Sequence, residues 1–80
     1  MTDLERALRY LHDGDWQSAH EIVQMHDTRL AWWGHGIVHV MEGDLPNARY
    51  WYRKAQRAFP EPFDVSTEIA ELQAAARLHD

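Results

Sequence analysis

Eighty residues without a cysteine make one domain that can hold neither a disulfide nor a thiolate metal site. Apolar residues at 45% and charged residues at 26% are ordinary for a globular chain, and the nine aromatic side chains with no low-complexity run argue against disorder. A formal net charge of −5 argues against a general nucleic-acid binder, whose affinity for phosphate rests on Lys and Arg.

The first predicted helix runs from Asp3 to His12. Thr2 and Glu5 form a capping box at its start, in which the hydroxyl accepts from a free backbone N–H and the Glu side chain reaches back. Leu4, Ala7, Leu8 and Leu11 recur at helical spacing, and Gly14 can take the left-handed backbone that ends a helix. The second helix is predicted from Trp16 to Met25 with Asp15 as its N-cap and Trp16, Ala19, Ile22, Val23 and His26 on its inner stripe. The third runs from Arg29 to Glu42. Its Gly34 and Gly36 each cost about 1 kcal/mol of helix propensity relative to Ala, which points to a close helix–helix approach. The fourth is predicted from Leu45 to Phe59, capped by Asp44, opened by Pro46 and stopped by Pro60 and Pro62. The fifth is predicted from Asp64 to His79 on the stripe Val65, Ile69, Leu72 and Ala76. No segment alternates with period two, so the fold class expected is all-α with about five helices.

Gly14-Asp15 and Gly43-Asp44 lie 29 residues apart, and at that offset the chain repeats loosely. Ala19 matches Ala48, Val23 matches Tyr52, and Ala7 matches Gly36, so small residues recur where helices must approach. Trp32, Gly36, His39, Gly43, Leu45, Ala48, Tyr52, Ala55 and Pro60 stand where a tetratricopeptide repeat places its signature residues, with His39 in place of the usual Tyr. The chain therefore resembles two tetratricopeptide-type hairpins, well over Arg29 to Pro62 and loosely over Asp3 to Met25. The offset is shorter than the roughly 34 residues usual for such units. The run from His35 to Arg53 also resembles a group of small bacterial proteins without an assigned activity, which implies a bacterial setting. Repeat hairpins normally need about three units to bury their faces, so the fifth helix is expected to cap the stack.

The resemblance implies a protein-interaction or self-association module, with the first helix of each hairpin on a concave side. Leu4, Leu8, Leu11, Trp33, Ile37 and Val40 would line it. Relatives that grip a C-terminal carboxylate place Lys, Arg and Asn there, and none stands at the matching positions. Three readings of an apolar concave face are open: covered by the fifth helix, a homodimer seam, or a groove for an amphipathic partner helix anchored by Trp33. Four of the eight basic residues, Arg49, Arg53, Lys54 and Arg57, fall in one helix. They are neutralised by the acidic helix that follows, or Arg49, Arg53 and Arg57 form a strip for an acidic partner.

His35, His39 and Glu42 share one face of the third helix at one-turn spacing, the pattern of a divalent metal site, with His26 as an approaching fourth group. Hydrogen-bonded core histidines and a pH sensor are the competing readings. Among the consecutive aromatics, Tyr52 is expected in the core, Trp51 against the fifth helix or a partner, and Tyr50 exposed. Catalysis finds no support. Ser18 and Ser66 read as first-turn helix residues, and no glycine-rich phosphate loop is present. No cofactor is expected. The N-terminus lacks the basic and apolar segments of a signal peptide, and no apolar run approaches a membrane span, so the expected location is the cytoplasm.

Overall fold

A computed structural model describes residues 1–78 and contains five helices: α1 (Asp3–His12), α2 (Trp16–Val23), α3 (Arg29–Glu42), α4 (Leu45–Lys54) and α5 (Val65–Leu78). No strand occurs among the described residues. Each helix begins on a side chain that accepts from the free N–H groups of its first turn. Thr2 accepts from Glu5 in a complete capping box, Asp15 from Ser18, Thr28 from Ala31 and Asp44 from Asn47. For α5, Asp64 Oδ1 accepts from the N–H groups of Ser66 and Thr67.

Three helices end on one hydrogen-bond pattern. Gly14 N–H donates to Leu11 O and Asp15 N–H to Tyr10 O, at 3.0 and 2.9 Å. Gly43 and Asp44 repeat this on Val40 and His39 at 3.0 and 2.9 Å, and Gln56 and Arg57 repeat it on Arg53 and Tyr52 at 2.9 and 3.0 Å. This is the Schellman closure, which needs a left-handed residue just past the helix. Gly14 and Gly43 supply it with φ of 80° and 92°. In both Gly-Asp turns the residue that closes one helix is followed directly by the cap of the next. The two hairpins α1–α2 and α3–α4 are therefore joined by the same local chemistry.

At the third closure the structure departs from expectation. Helix α4 ends at Lys54, not at Phe59, because Gln56 adopts φ of 61°. The sequence Ala55 to Phe59 has no intrinsic helix breaker. What turns it is packing: the Phe59 and Phe63 rings sit edge-on to Tyr52, with centroids 5.2 and 5.7 Å away. Helix α2 also stops two residues short of the expected Met25. Of the expected α5 end, His79 lies outside the described residues.

Helix α3 is the centre of the molecule and packs against all four other helices. Eight of its fourteen residues are buried, including both interior glycines. Ala19 and Ala48 are fully buried, as close approach of α2 and α4 to their predecessors requires. Helix α5 folds back over α1 and α3 and inserts Ile69, Leu72 and Ala76 into the core. Glu68 goes with them. Its Oε1 accepts from Tyr52 Oη at 2.7 Å and from Trp33 Nε1 at 3.2 Å, so one buried carboxylate ties α3, α4 and α5 together. That bond network satisfies groups whose burial is otherwise costly.

Candidate partner-binding surface and histidine cluster

Of the residues assigned to a concave groove, Leu8, Leu11, Trp33 and Ile37 are buried, and Leu4 and Val40 are partly buried. Helix α5 occupies the side of α1 and α3 that the first helices of the hairpins present. Trp33 in particular is a core residue with its indole N–H on Glu68 and the Arg57 guanidinium 3.4 Å over its ring. A shallow trough of about 540 Å³ remains, lined by Leu4, Leu30, Trp33 and Ala75 and edged by Arg29 and Arg57.

The basic residues of α4 and the turn after it divide in two. Arg49 pairs with Glu61 at 2.9 Å and lies over Phe59, and Arg57 pairs with Glu71 at 3.8 Å. These exposed pairs contribute little to stability. Arg53 and Lys54 have no carboxylate within ion-pair distance among the described residues. The Lys54 ammonium stands over two indoles instead, 4.9 Å from the Trp32 ring and 5.1 Å from that of Trp51. Tyr50 is 47% exposed and meets Trp51 edge-on. Trp51 does not face α5; it stacks flat on His35, with centroids 3.8 Å apart and planes 9° from parallel.

The histidine pair on α3 is joined by a third histidine that sequence reasoning missed. His20 of α2 lies edge-on to both His35 and His39, with centroids at 4.8 and 5.4 Å. The anticipated His26 is elsewhere, its Nε2 2.9 Å from Asp3 Oδ2. His35 and His39 are buried and stacked at 4.9 Å. Glu42 sits beside them, its Oε1 3.0 Å from His39 Nδ1. Burial pushes His35 down to about 3 from an ordinary 6.5, with further contributions from His39, His20 and Lys54. The available signal for His20 was its position between Trp16 and Val23, one turn back and three residues on. Those two belong to the stripe that packs inward, and the second face of α2 meets α3.

Set against family models, curated proteins and solved structures, the chain matches none of them. No described helix is long and apolar enough to cross a membrane.

Proposed function

We propose that the chain is a protein-interaction module, built on tetratricopeptide-like hairpins, that takes an acidic segment of a partner protein on the outer face of α4. The observation that carries this reading is the Lys54 ammonium held over Trp32 and Trp51 with no carboxylate of its own. Arg53 beside it and the exposed Tyr50 extend the surface. Trp, Tyr and Arg are the side chains that dominate interface energetics, since they contribute large contact area and directed hydrogen bonds. With α5 over the inner faces of α1 and α3, the outer face of α4 still exposes Tyr50, Arg53 and Lys54. A net charge of −5 makes a cationic strip a local exception that attracts acidic groups and leaves the rest of the surface repelling them.

The test is tryptophan fluorescence during titration with an Asp- and Glu-rich peptide, at low and at moderate salt. Binding should weaken steeply with salt and drop at least roughly tenfold in Arg53→Ala and Lys54→Ala, each of which removes one charge at the interface. No binding at low salt, or binding indifferent to both substitutions, overturns the reading. The thirteen acidic residues of the chain make a second copy an eligible donor of the acidic segment. Salt-sensitive self-association in light scattering, lost in Lys54→Ala, identifies that case.

A further inference from the structure

We propose that His20, His35 and His39 hold a divalent transition-metal ion of the zinc, nickel or copper type between α2 and α3, with Glu42 as the outer carboxylate that orients His39. This site is independent of the partner surface proposed above, although Trp51 borders both.

The geometry points to a ligand set. One ring nitrogen from each of the three histidines lies within 4.8 Å of the others. A tetrahedral ion with metal–nitrogen bonds of about 2.0–2.1 Å holds its nitrogens about 3.3 Å apart. Closing that difference asks for reorientation of the His20 and His39 rings toward His35, which stays flat on Trp51. His35 and His39 stand one turn apart on a rigid fourteen-residue helix, and His20 comes from the neighbouring hairpin. The ion would therefore staple the two hairpins together.

Two further observations favour metal over mere packing. His35 Nδ1 is buried and has no hydrogen-bond partner, although native interiors rarely leave such a nitrogen unpaired. His39 Nδ1 is engaged by Glu42, which fixes that nitrogen as the N–H donor and leaves the Nε2 lone pair available. A carboxylate behind a ligating imidazole is the usual outer partner of a metal site, and it raises the basicity of the ligand. Glu42 thereby moves from the ligand expected by sequence to a supporting place. A second grouping, His39 with Glu42 and Asp44, shares two of these residues. There Asp44 is committed to capping α4 through the Asn47 N–H.

The chemistry sets the choice of ion. Burial keeps His35 a neutral imidazole at neutral pH, the ligating form. Three imidazoles with no thiolate suit zinc, nickel and copper, whereas magnesium and calcium require oxygen ligands. Stacking of Trp51 on His35 holds that ring in place and supplies a built-in optical reporter.

The experiment is isothermal titration and thermal unfolding of the full untagged chain at pH 7.5 with zinc, nickel and, as control, magnesium. One zinc ion per chain is expected, with Tm raised by roughly 10 °C at a hundredfold excess over Kd and no response to magnesium. His20→Gln, a substitution at a partly buried position, should remove the zinc response while the protein stays folded by circular dichroism. Glu42→Gln should keep one-to-one binding but weaken it by about 10–100-fold. His12→Gln with His26→Gln should leave binding unchanged. Absence of heat and of any Tm shift overturns the proposal. So does zinc binding that survives His20→Gln or disappears with the surface pair.

Discussion

Gly36 and Tyr52 occupy one space: a Cβ added to Gly36 would lie 2.6 Å from Cε1 of the Tyr52 ring and closer still to Cδ1. The same carbon would stand 3.3 Å from the Ala48 carbonyl oxygen. The ring cannot yield, because its hydroxyl is bound to Glu68 and its edges are packed by Phe59 and Phe63. Gly34 is different, since its added Cβ would meet only Val23 Cγ1 at 3.4 Å and Leu72 Cδ2 at 3.5 Å. Gly36→Ala should therefore cost about 2–3 kcal/mol by overpacking. Gly34→Ala should fall between neutral and about 1 kcal/mol stabilising, as helix propensity is recovered. Urea unfolding of the two variants checks this, and equal effects would show that Tyr52 does not enforce the glycine.

The contrast between the two glycines shows what was legible in the sequence. Close approach somewhere in α3 could be read from Gly34-His35-Gly36, but not which glycine the approach needs, since that depends on where a residue of α4 points. Helices α1 and α3 have the predicted bounds because local signals set them: the Thr2–Glu5 box and the left-handed Gly43. Helix α4 does not, because its end is set by contacts between Tyr52 and two phenylalanines that follow it. The His35–His39 pair was visible as a one-turn spacing. Its third member was not, because docking of α2 on α3 joins residues that no local spacing relates. The stacking of Trp51 on His35 was hidden for the same reason, and nothing in the spacing of α5 marks Glu68 as the buried acceptor for two donors.

Removing that acceptor should be felt strongly. Glu68→Ala leaves Tyr52 Oη and Trp33 Nε1 buried without a partner and is expected to cost about 3 kcal/mol. Glu68→Gln keeps one acceptor oxygen in place and should cost less than about 1.5 kcal/mol, the difference between charged and neutral hydrogen bonds. Chemical denaturation of both variants is the measurement. Equal losses would mean that side-chain volume, and not hydrogen bonding, is what α5 gains from this residue.

Acid should destabilise the metal-free protein before any carboxylate with a lowered value titrates. His35 titrates near 3 when folded and at an ordinary 6.5 when unfolded, so the neutral form belongs to the folded state. Its contribution is fully present above pH 6.5 and is lost progressively as pH falls toward 3. One such site gives a slope of at most about 1.4 kcal/mol per pH unit. The groups facing it are His39 on its own helix, His20 from α2, and Trp51 with Lys54 from α4, while Glu42 acts on His39. Asp15, held below its ordinary 3.8 by the Ser18 hydroxyl and N–H, contributes in the same direction only at lower pH. Urea midpoints at pH 7.5, 6, 5 and 4 should fall steadily, and His35→Gln should flatten the profile. A flat wild-type profile over this range would contradict the burial of a neutral imidazole.

Gln56 holds a left-handed backbone, φ of 61°, at the place where Gly14 and Gly43 hold theirs. A side chain with a Cβ is disfavoured there, whereas glycine visits the region freely. The Gln56 side chain is exposed, so nothing in the core depends on it. Its backbone N–H nevertheless donates to Arg53 O and closes α4 together with Arg57, as at the other two closures. Gln56→Gly should relieve the strain without disturbing a contact. Glycine also loses more freedom on folding, which offsets part of the gain. The expected outcome is a net stabilisation of about 0.5–1 kcal/mol, read as a higher urea midpoint at unchanged slope. Gln56→Val is the opposing control, since a β-branched side chain fits the left-handed region worst, and it should destabilise. If glycine proved no better than valine, the left-handed turn after α4 would not be the conformation that the protein uses.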